Sequence, residues 1–195
     1  MEELSIIQKS ESRIKTFDFL KQENLKINLG CGDNIYPGYV NIDKIPLKNV
    51  DITLDLEKTP LPFDSDSVSE IRCEHILEHI NNYIPLLEEL WRITKKGGII
   101  YVYAPYFRYE GAYRDPTHVR FFTEHSFDYF QDGMKFSTYS KARFKINKIE
   151  LRNHFFSGVK NIHKKIINYI PFKKFLNIFI WNIYSEVYYE LEVIK

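Results

Sequence analysis

The stretch INLGCGD, from Ile27 to Asp33, constrains this chain more than any other. It places two glycines around a cysteine directly after a short apolar run. Glycine weakens the interior of a strand or helix, so a pair of glycines there needs a reason. One such reason is close approach of another group to the main chain, which a side chain would prevent. The stretch therefore predicts a strand that ends in a turn with room for a ligand.

A second apolar run ends in an acid, Asp43. Glycines after a first strand and an acid after the second are typical of α/β folds that bind nucleotides, where the acid accepts hydrogen bonds from the ribose. A dinucleotide fingerprint would need a third glycine at the position of Ile35, which counts against NAD.

The remaining pattern predicts an α/β domain. IIYVYAP (99–105) is typical of a strand buried on both faces of a parallel sheet. Residues 76–98 predict a helix that Gly97 and Gly98 end, and a short helix is expected from Glu124 to Phe130 with Thr123 as its N-cap. Further strands are predicted for KINLG (26–30), YVNID (39–43), VDITLD (50–55), SVSEIRC (67–73), ARFKINKIELR and VYYELEVIK.

The connections between the first three predicted strands are short. Residues 31–38 join the first two and contain the turn signal Pro37-Gly38, and KIPLKN joins the next two. A parallel crossover normally takes about a dozen residues or more. We therefore expect the early crossover helices to be reduced to single turns, with one sheet face short of cover.

Two segments are candidates to supply that cover. The first is a predicted N-terminal helix over 1–22, and the second is a predicted amphipathic helical insertion over 159–184, before the last strand. The stretch 151–185 contains no Asp or Glu, and basic residues lie among its many aromatics. Apolar residues at helical spacing form a stripe along 159–184. We expect this stripe either to cover the sheet or to pack a homodimer. The alternative is that the segment contacts an anionic membrane surface.

Composition bounds the partners and the compartment. The chain has 195 residues with 27 Lys and Arg against 26 Asp and Glu, a balance that argues against a general nucleic-acid binder. Two cysteines, Cys31 and Cys73, suit a reducing compartment. The N-terminus lacks the residue order of a signal peptide, and no apolar run reaches the roughly 20 residues of a bilayer span. We expect a cytoplasmic protein, peripheral to the inner membrane face if the segment 159–184 binds lipid.

Several motifs in order resemble the class I S-adenosylmethionine-dependent methyltransferases. NLGCG is similar to the first motif of that family, Asp43 to its ribose-binding acid, and ILEH to the turn beneath the cofactor. ELWRITKKGGIIYVYAP is similar to the helix and fifth strand that follow. RDPTHVRFFT resembles the DPTHxRFFT-type loop of a subset of small methyltransferases within this family. That subset is often linked with surface-glycan assembly.

The resemblance implies a single methyltransferase domain over 1–195. It implies a Rossmann-like, seven-stranded, mostly parallel sheet with an antiparallel last strand. S-adenosylmethionine is the implied cofactor, and S-adenosylhomocysteine is its product. The implied cofactor-binding residues are Gly30, Cys31, Gly32, Asp43, Asp55, Leu56, Glu74 and His79.

The loop after the fifth strand offers candidates for the chemistry. A hydroxyl acceptor needs a general base, and a carboxylate acceptor needs a cation. His118 is the candidate base, or else it braces the loop through Asp115; Arg114 is the candidate anion clamp, or else it pairs with Asp115. The predicted catalytic residues are His118, Arg114 and Asp115, and the predicted substrate-binding residues are Tyr106, Arg108, Tyr113 and Arg120, with Tyr109 as a further pocket residue.

Two sharper interpretations are disfavoured. Cys31 is better explained as a small residue fitted against the ligand than as a nucleophile. His75 and His79 are spaced as a metal pair, but no cysteine or further acid is spaced to complete a site, so we expect no metal.

The sequence thus favours transfer of a methyl group to a hydroxyl or uronic carboxylate of a sugar, free or lipid-linked. One alternative is a methyltransferase acting on a small metabolite or on RNA. The RNA version is disfavoured by the acidic middle of the chain. The other alternative is a non-catalytic cofactor-binding or scaffold protein, which the intact Gly30, Gly32 and Asp43 oppose without excluding.

Overall fold

A computed structural model describes residues 24–134, 137–153 and 181–195. Seven strands form one sheet in the order β3-β2-β1-β4-β5-β7-β6. The strands are β1 Leu25–Leu29, β2 Val40–Asp43, β3 Ile52–Thr53, β4 Val68–Glu74, β5 Thr94–Pro105, β6 Phe144–Arg152 and β7 Glu186–Val193. The helices are α1 Tyr83–Ile93 and the single turn α2 Gly111–Arg114, with 3₁₀ turns at Leu77–His79, Asp128–Phe130 and Ser137–Tyr139.

The sheet has the predicted direction pattern. The pairs among β1 to β5 are parallel, whereas β7 runs antiparallel to both β5 and β6. The prediction of a Rossmann-like, mostly parallel sheet with an antiparallel last strand is confirmed. The predicted helix over 1–22 and most of the predicted insertion over 159–184 lie outside the described residues.

The early connections are as short as the sequence predicts. Neither 30–39, between β1 and β2, nor 44–51, between β2 and β3, contains a helix. A turn with Gly38 at φ +81° reverses the chain before β2. The strand β3 is only two residues long because Leu54 and Asp55 leave the sheet to line a cavity described below.

The core lies on the face of the sheet that α1 covers. The predicted stripe of α1 is fully buried: Leu86, Leu87, Leu90 and Ile93 pack with Ile71 and neighbouring strand residues. Burial of one such side chain contributes roughly 1.5–3 kcal/mol. Beyond the end of β5 the same core continues through the aromatic residues Phe122, Phe127, Phe130 and Tyr189.

The predicted helix over 76–98 is interrupted at both ends. A 3₁₀ turn replaces its beginning, and α1 ends at Ile93 because Thr94 is already extended and pairs with Val68. Residues 95–98 then bulge out of the ladder before Ile99 pairs with Glu70. Gly97 and Gly98 therefore shape a bulge and not a helix end. Gly97 has φ +74°.

The predicted helix from Glu124 to Phe130 is also wrong in type. Turns lead into the short 3₁₀ turn at Asp128–Phe130. Thr123 still caps the backbone, since its Oγ1 accepts the His125 N–H at 3.1 Å. Phe127 and Phe130 are buried here, and their packing decides the local path of the chain.

The opposite face of the sheet is polar and aromatic. The Arg152 guanidinium lies 4.1 Å from the centre of the Tyr188 ring, and the Arg72 guanidinium lies 4.3 Å from the centre of the Tyr36 ring. Arg72 also forms an ion pair with Glu74. Such a face tolerates water, because its charges are paired and its rings carry hydroxyls.

Candidate cofactor and acceptor site

A cavity of about 660 Å³ opens where β1, β2 and β3 end. Carboxyl ends of parallel strands are where open α/β sheets bind their ligands. We call it the first cavity. It is lined by Gly30, Asp43, Lys44, Ile45, Leu54, Asp55, Leu56, Glu57, Ile76, His79, Ile80, Asn81, Thr117 and Val119.

The glycine loop uses its two glycines differently. Gly30 has φ +62°, and a Cβ there would stand 2.5 Å from Cγ1 of Ile76, so this glycine permits close packing below the cavity. Gly32 has φ +48°, and a Cβ there would meet nothing within 4 Å. The backbone at Gly32 is therefore open to an incoming ligand.

Asp43 ties this loop to the end of β2. Its Oδ2 accepts the Gly32 N–H at 2.9 Å, and its Oδ1 accepts the Ile45 N–H at 2.9 Å. Each oxygen keeps a lone pair toward the first cavity. Asp43 can thus accept hydroxyl hydrogen bonds while it holds the loop in place.

The far rim of the first cavity is the loop after β3. Leu56 is buried, and Asp55 accepts the Glu57 N–H at 3.2 Å. The Glu57 carboxylate accepts the N–H groups of Asn81 and Asn82 at 2.8 and 2.9 Å. Partial burial raises the pKa of Glu57, but the hydrogen bonds from Asn81 and Asn82 outweigh burial, so its pKa is lowered.

A second cavity, of about 380 Å³, lies beside the loop after β5. It is lined by His75, Pro105, Tyr109, Gly111, Arg114, Asp115, Pro116, His118 and Ser185. Arg114 is exposed and has no ion-pair partner among the described residues. The expected alternative of a local pair with Asp115 is not formed, so the Arg114 guanidinium is available to an anion.

Four side chains separate the two cavities. The Thr117 hydroxyl donates to Asp115 Oδ1 at 2.6 Å and lies 2.8 Å from His79 Nδ1. The ring centroids of His79 and His118 are 4.8 Å apart. The side-chain bond to Thr117, with that residue's N–H, lowers the pKa of Asp115. The predicted catalytic residues His118 and Asp115 therefore lie next to the predicted cofactor residue His79.

The hydrogen bonds fix which ring nitrogens carry protons. Because the Thr117 hydroxyl proton is committed to Asp115, His79 Nδ1 is the donor to Thr117, which leaves a lone pair on His79 Nε2. His118 Nδ1 lies 2.9 Å from the carbonyl of Ala112, which can only accept, so Nε2 of His118 also keeps its lone pair. The hydrogen bonds thus engage Nδ1 of both rings and leave Nε2 of both without a described hydrogen bond.

His75 lies at the end of β4 with φ +50°, a conformation that is uncommon for residues other than glycine. Its Nε2 is 3.0 Å from Glu186, and its Nδ1 is 3.3 Å from Glu78. Burial alone would lower the pKa of His75, but the bonds to Glu186 and Glu78 raise it to about 10. His75 is therefore a cation that links β4 to β7, and it does not pair with His79.

Several predicted site residues do not line either cavity, and Gly32 is one of them. Cys31 is buried, and burial together with the Asp43 charge raises the pKa of its thiol to about 11, as expected for an unreactive thiol. Glu74 lies on the polar face, where it lines a separate cavity of about 370 Å³ with Arg72 and Tyr103. Residues alternate between faces along a strand, and Cys73 points into the core, so Glu74 must point away from it.

The predicted substrate residues are mostly structural. Tyr106 is 1% exposed, and its hydroxyl donates to Glu124 at 3.0 Å. The Arg120 guanidinium lies 4.1 Å from the centre of the Tyr83 ring and donates to the Ile80 carbonyl at 3.3 Å. Arg108 lies against the Phe107 ring, outside the second cavity. Tyr113 is exposed and stacks on Phe121, with the two ring centroids 4.5 Å apart. The ring centroids of Tyr113 and Trp181 are 6.1 Å apart.

Sequence reasoning missed Thr117 and Ile76 as site residues. Thr117 lies inside the RDPTHVRFFT motif, and its position beside His118 was the available signal. Ile76 had no such signal, because its role depends on the path of the glycine loop above it.

The predicted cofactor site fits its ligand on these observations. The first cavity has the volume of a small-molecule site, and it is lined by Gly30 and by Asp43, the acid at the end of β2 that also holds the Gly32 N–H. Among the described residues no helix is long and apolar enough to cross a bilayer.

Comparisons with known proteins agree with this geometry. Residues 31–102 match the sequence profile of a methyltransferase domain. No curated protein sequence matches the chain. Among solved structures, the fold is similar to a SAM-dependent methyltransferase from Archaeoglobus fulgidus, with TM-score 0.59 and 15% identity over 95% of this chain and 93% of that one.

Two further structures show the same fold. One is a SAM-dependent methyltransferase from Mesorhizobium loti, with TM-score 0.53 and 14% identity over 89% of this chain and 92% of that one. The other is a methyltransferase complexed with the Trm112 activator from Haloferax volcanii, with TM-score 0.55 and 14% identity over 90% and 86%. The chain therefore has the fold of S-adenosylmethionine-dependent methyltransferases, and its residues 31–102 match a methyltransferase domain.

Proposed function

We propose that this protein is an S-adenosylmethionine-dependent methyltransferase that modifies a hydroxyl or carboxylate of a sugar in a surface-glycan precursor. The observation that carries the proposal is the pair of adjoining cavities with His79, Thr117, Asp115 and His118 between them. The first cavity holds the cofactor, and the second holds the acceptor. S-adenosylmethionine supplies a methyl group on a sulfonium, which in-line displacement transfers.

In the first cavity, Asp43 accepts the ribose hydroxyls while it orders the glycine loop. Gly30 lines the same cavity, and Asp55 with Leu56 borders the adenine. His79 forms the boundary toward the acceptor.

In the second cavity, the residues serve either kind of acceptor. His118 accepts the proton of a hydroxyl at Nε2, and the Ala112 carbonyl holds its ring through Nδ1. Arg114 binds a carboxylate, because it is exposed and has no ion-pair partner in the described chain. Holding acceptor and cofactor in line is the main catalytic requirement.

A sugar acceptor is favoured by exposed aromatic rings near this cavity. Tyr113 belongs to α2, whose residues Gly111 and Arg114 line the cavity, and it stacks with Phe121. Flat, partly exposed rings of this kind offer an apolar surface with a polar edge. A lipid-linked carrier is a further part of the proposal and rests on the basic, acid-free composition of 151–185.

Two measurements test the proposal. Calorimetry should detect S-adenosylhomocysteine binding to the intact chain, and Asp43→Asn should weaken it. Label from a methyl-labelled donor should then enter glycan or lipid-linked extracts and not RNA or small-metabolite fractions. Label in RNA would support the alternative acceptor, and cofactor binding without any transfer would support a non-catalytic protein.

A further inference from the structure

Three side chains meet where the two cavities adjoin. Glu78, His79 and His118 each offer one donor atom, and these atoms lie within 4.8 Å of one another. The 3₁₀ turn carries the first two, and the loop after β5 carries the third. A hydrogen bond from the Val119 N–H to the Glu78 carbonyl, at 2.9 Å, fastens the loop to the turn.

Glu78 is the unusual member of this group. Its side chain is 1% exposed, and its Oε1 pairs with His75 Nδ1 at 3.3 Å. Its Oε2 has no hydrogen-bond partner among the described residues. Burying a carboxylate oxygen without a hydrogen-bond partner costs free energy, so we expect a ligand to bind such an oxygen.

Both imidazoles are oriented by a hydrogen bond at one ring nitrogen. Each has its Nδ1 engaged, His79 with Thr117 and His118 with the Ala112 carbonyl. A hydrogen bond of this kind at one ring nitrogen orients the other nitrogen toward a metal in known sites. Asp115 Oδ2, 3.9 Å from His118 Nε2, lies close enough to join the group.

We propose that Glu78, His79 and His118 bind one divalent transition-metal ion between the two cavities. Two imidazoles with one carboxylate suit ions such as Mn²⁺, Co²⁺ or Zn²⁺, whereas Mg²⁺ and Ca²⁺ prefer sites made of oxygen ligands. Bonds of roughly 2.1 Å place the donor atoms of one ion about 3–4 Å apart. Small rotations of the rings therefore close the site around the ion.

Three protein ligands leave a coordination position open, as catalytic sites do. An oxygen of the acceptor can take that position from the second cavity, which His118 lines. This consequence, unlike ion binding itself, rests on the proposed function. With the ion bound, His118 acts as a ligand, and the acceptor's proton leaves to water from an oxygen that the ion polarises.

Calorimetric titration of the full, metal-stripped chain with Mn²⁺ and Zn²⁺ tests the site without donor or acceptor. We expect one ion per chain, with Co²⁺ giving a visible absorption band. His79→Asn and Glu78→Gln should each weaken binding at least tenfold, and Thr117→Val should weaken it roughly ten- to a hundredfold by freeing the His79 ring. His125→Asn is the matched control, because His125 is exposed and Asp128 is the one described residue that its ring is shown to pair with.

The outcomes are distinct. Binding that is millimolar or weaker, or equal in His79→Asn and His125→Asn, overturns the proposal. Glu78 is buried, so Glu78→Gln could unfold; His79 lines a cavity, and His79→Asn then decides alone. Loss of S-adenosylhomocysteine binding would contradict the proposed function, but it would leave the ion titration unaffected.

Discussion

Asp43 performs two tasks with one carboxylate. It accepts the N–H groups of Gly32 and Ile45, and it faces the first cavity. Asp43→Ala should weaken S-adenosylhomocysteine binding by ~1.5–3 kcal/mol, the scale for hydrogen bonds to a charged group. Calorimetry on the folded variant measures this change.

Asp33→Asn is the control for that substitution, because Asp33 is an exposed acid of the same loop that does not line the cavity. Asp43→Asn should fall between the wild type and Asp43→Ala, since its amide oxygen can still accept one bond. Unchanged affinity in Asp43→Ala would mean that the ribose is held elsewhere.

His118 is the residue on which the chemical step depends in our proposal. Only 8% of its side chain is exposed, and its Nδ1 is held by the Ala112 carbonyl. His118→Ala should lower kcat by roughly 10²–10⁴-fold while the affinity for S-adenosylhomocysteine stays the same. Single-turnover rates with labelled donor measure the first quantity, and calorimetry measures the second.

His125→Ala serves as the comparison, because that ring is exposed and lies away from both cavities. A His118→Ala protein that keeps most of its turnover would reduce His118 to a brace for the loop.

Among the elements, α1 is capped at its N-terminus by Glu57, a residue from the loop after β3. Asn82 makes no side-chain cap of its own, and the Glu57 carboxylate accepts the N–H groups of Asn81 and Asn82 instead. Glu57→Ala should therefore destabilise the fold by about 1–2 kcal/mol, as loss of an N-cap does. Urea denaturation measures the change in the free energy of unfolding.

Glu57→Gln keeps one acceptor and loses the charge, so it should be destabilised less. The pKa of Glu57 is lowered on folding, so its contribution is present above the unfolded pKa near 4.5 and is lost as pH falls below that range. Equal stability of Glu57→Ala and the wild type at pH 7 would show that water caps α1 equally well.

His75 joins β4, the 3₁₀ turn and β7 through two buried carboxylates. Its folded pKa of about 10 lies above the unfolded value of 6.5, so the folded state binds the extra proton between these values. The His75 contribution is therefore complete below about pH 6.5 and is lost as pH rises toward 10. The wild type should lose stability over this range more steeply than His75→Gln.

Urea denaturation of both proteins at several pH values between 6 and 10 checks this expectation. The comparison removes the titration of other groups, which the two chains share. Parallel stability profiles would show that Glu78 and Glu186 do not hold the proton on His75.

At the scale of the whole molecule, the sheet presents one apolar and one polar face. The polar face carries paired arginines and tyrosines, so it does not require an apolar cover. This weakens the argument that the acid-free segment must pack on the sheet.

If residues 159–184 contact lipid, the protein should sediment with anionic vesicles and dissociate as salt rises. Each basic residue near such a surface contributes ~1 kcal/mol, so replacing Lys164, Lys165, Lys173 and Lys174 with Gln should abolish binding. The melting temperature should change little. The matched control replaces four exposed lysines elsewhere: Lys48, Lys58, Lys96 and Lys141.

Packing of the segment 159–184 within the fold would give a different result. If the apolar stripe is packed in the fold, Phe175→Ala or Phe179→Ala should cost ~3–5 kcal/mol of stability, as for a buried aromatic. The wild type would then bind vesicles no better than an unrelated soluble protein does.

The sequence by itself determined the fold class and predicted several residues that line the first cavity. Apolar runs, alternation and glycines are local signals, and each limits the backbone where it occurs. For that reason β1, β2, β4 and β5 lie where the pattern predicts, and Gly30, Asp43, Asp55 and Leu56 line one cavity. The absence of helices between β1 and β3 was likewise predicted from the sequence, because a crossover helix does not fit in so few residues.

Only the tertiary structure decided where side chains of the loop after β5 point. Tyr106 and Arg120 carry the same sequence signal as Arg114, yet packing buries the first and stacks the second on Tyr83. The meeting of His79 with Thr117 and His118 joins segments far apart in the chain, through bonds such as that between Val119 and Glu78. Long-range contacts of this kind leave no local pattern, because either partner alone is compatible with many positions in space.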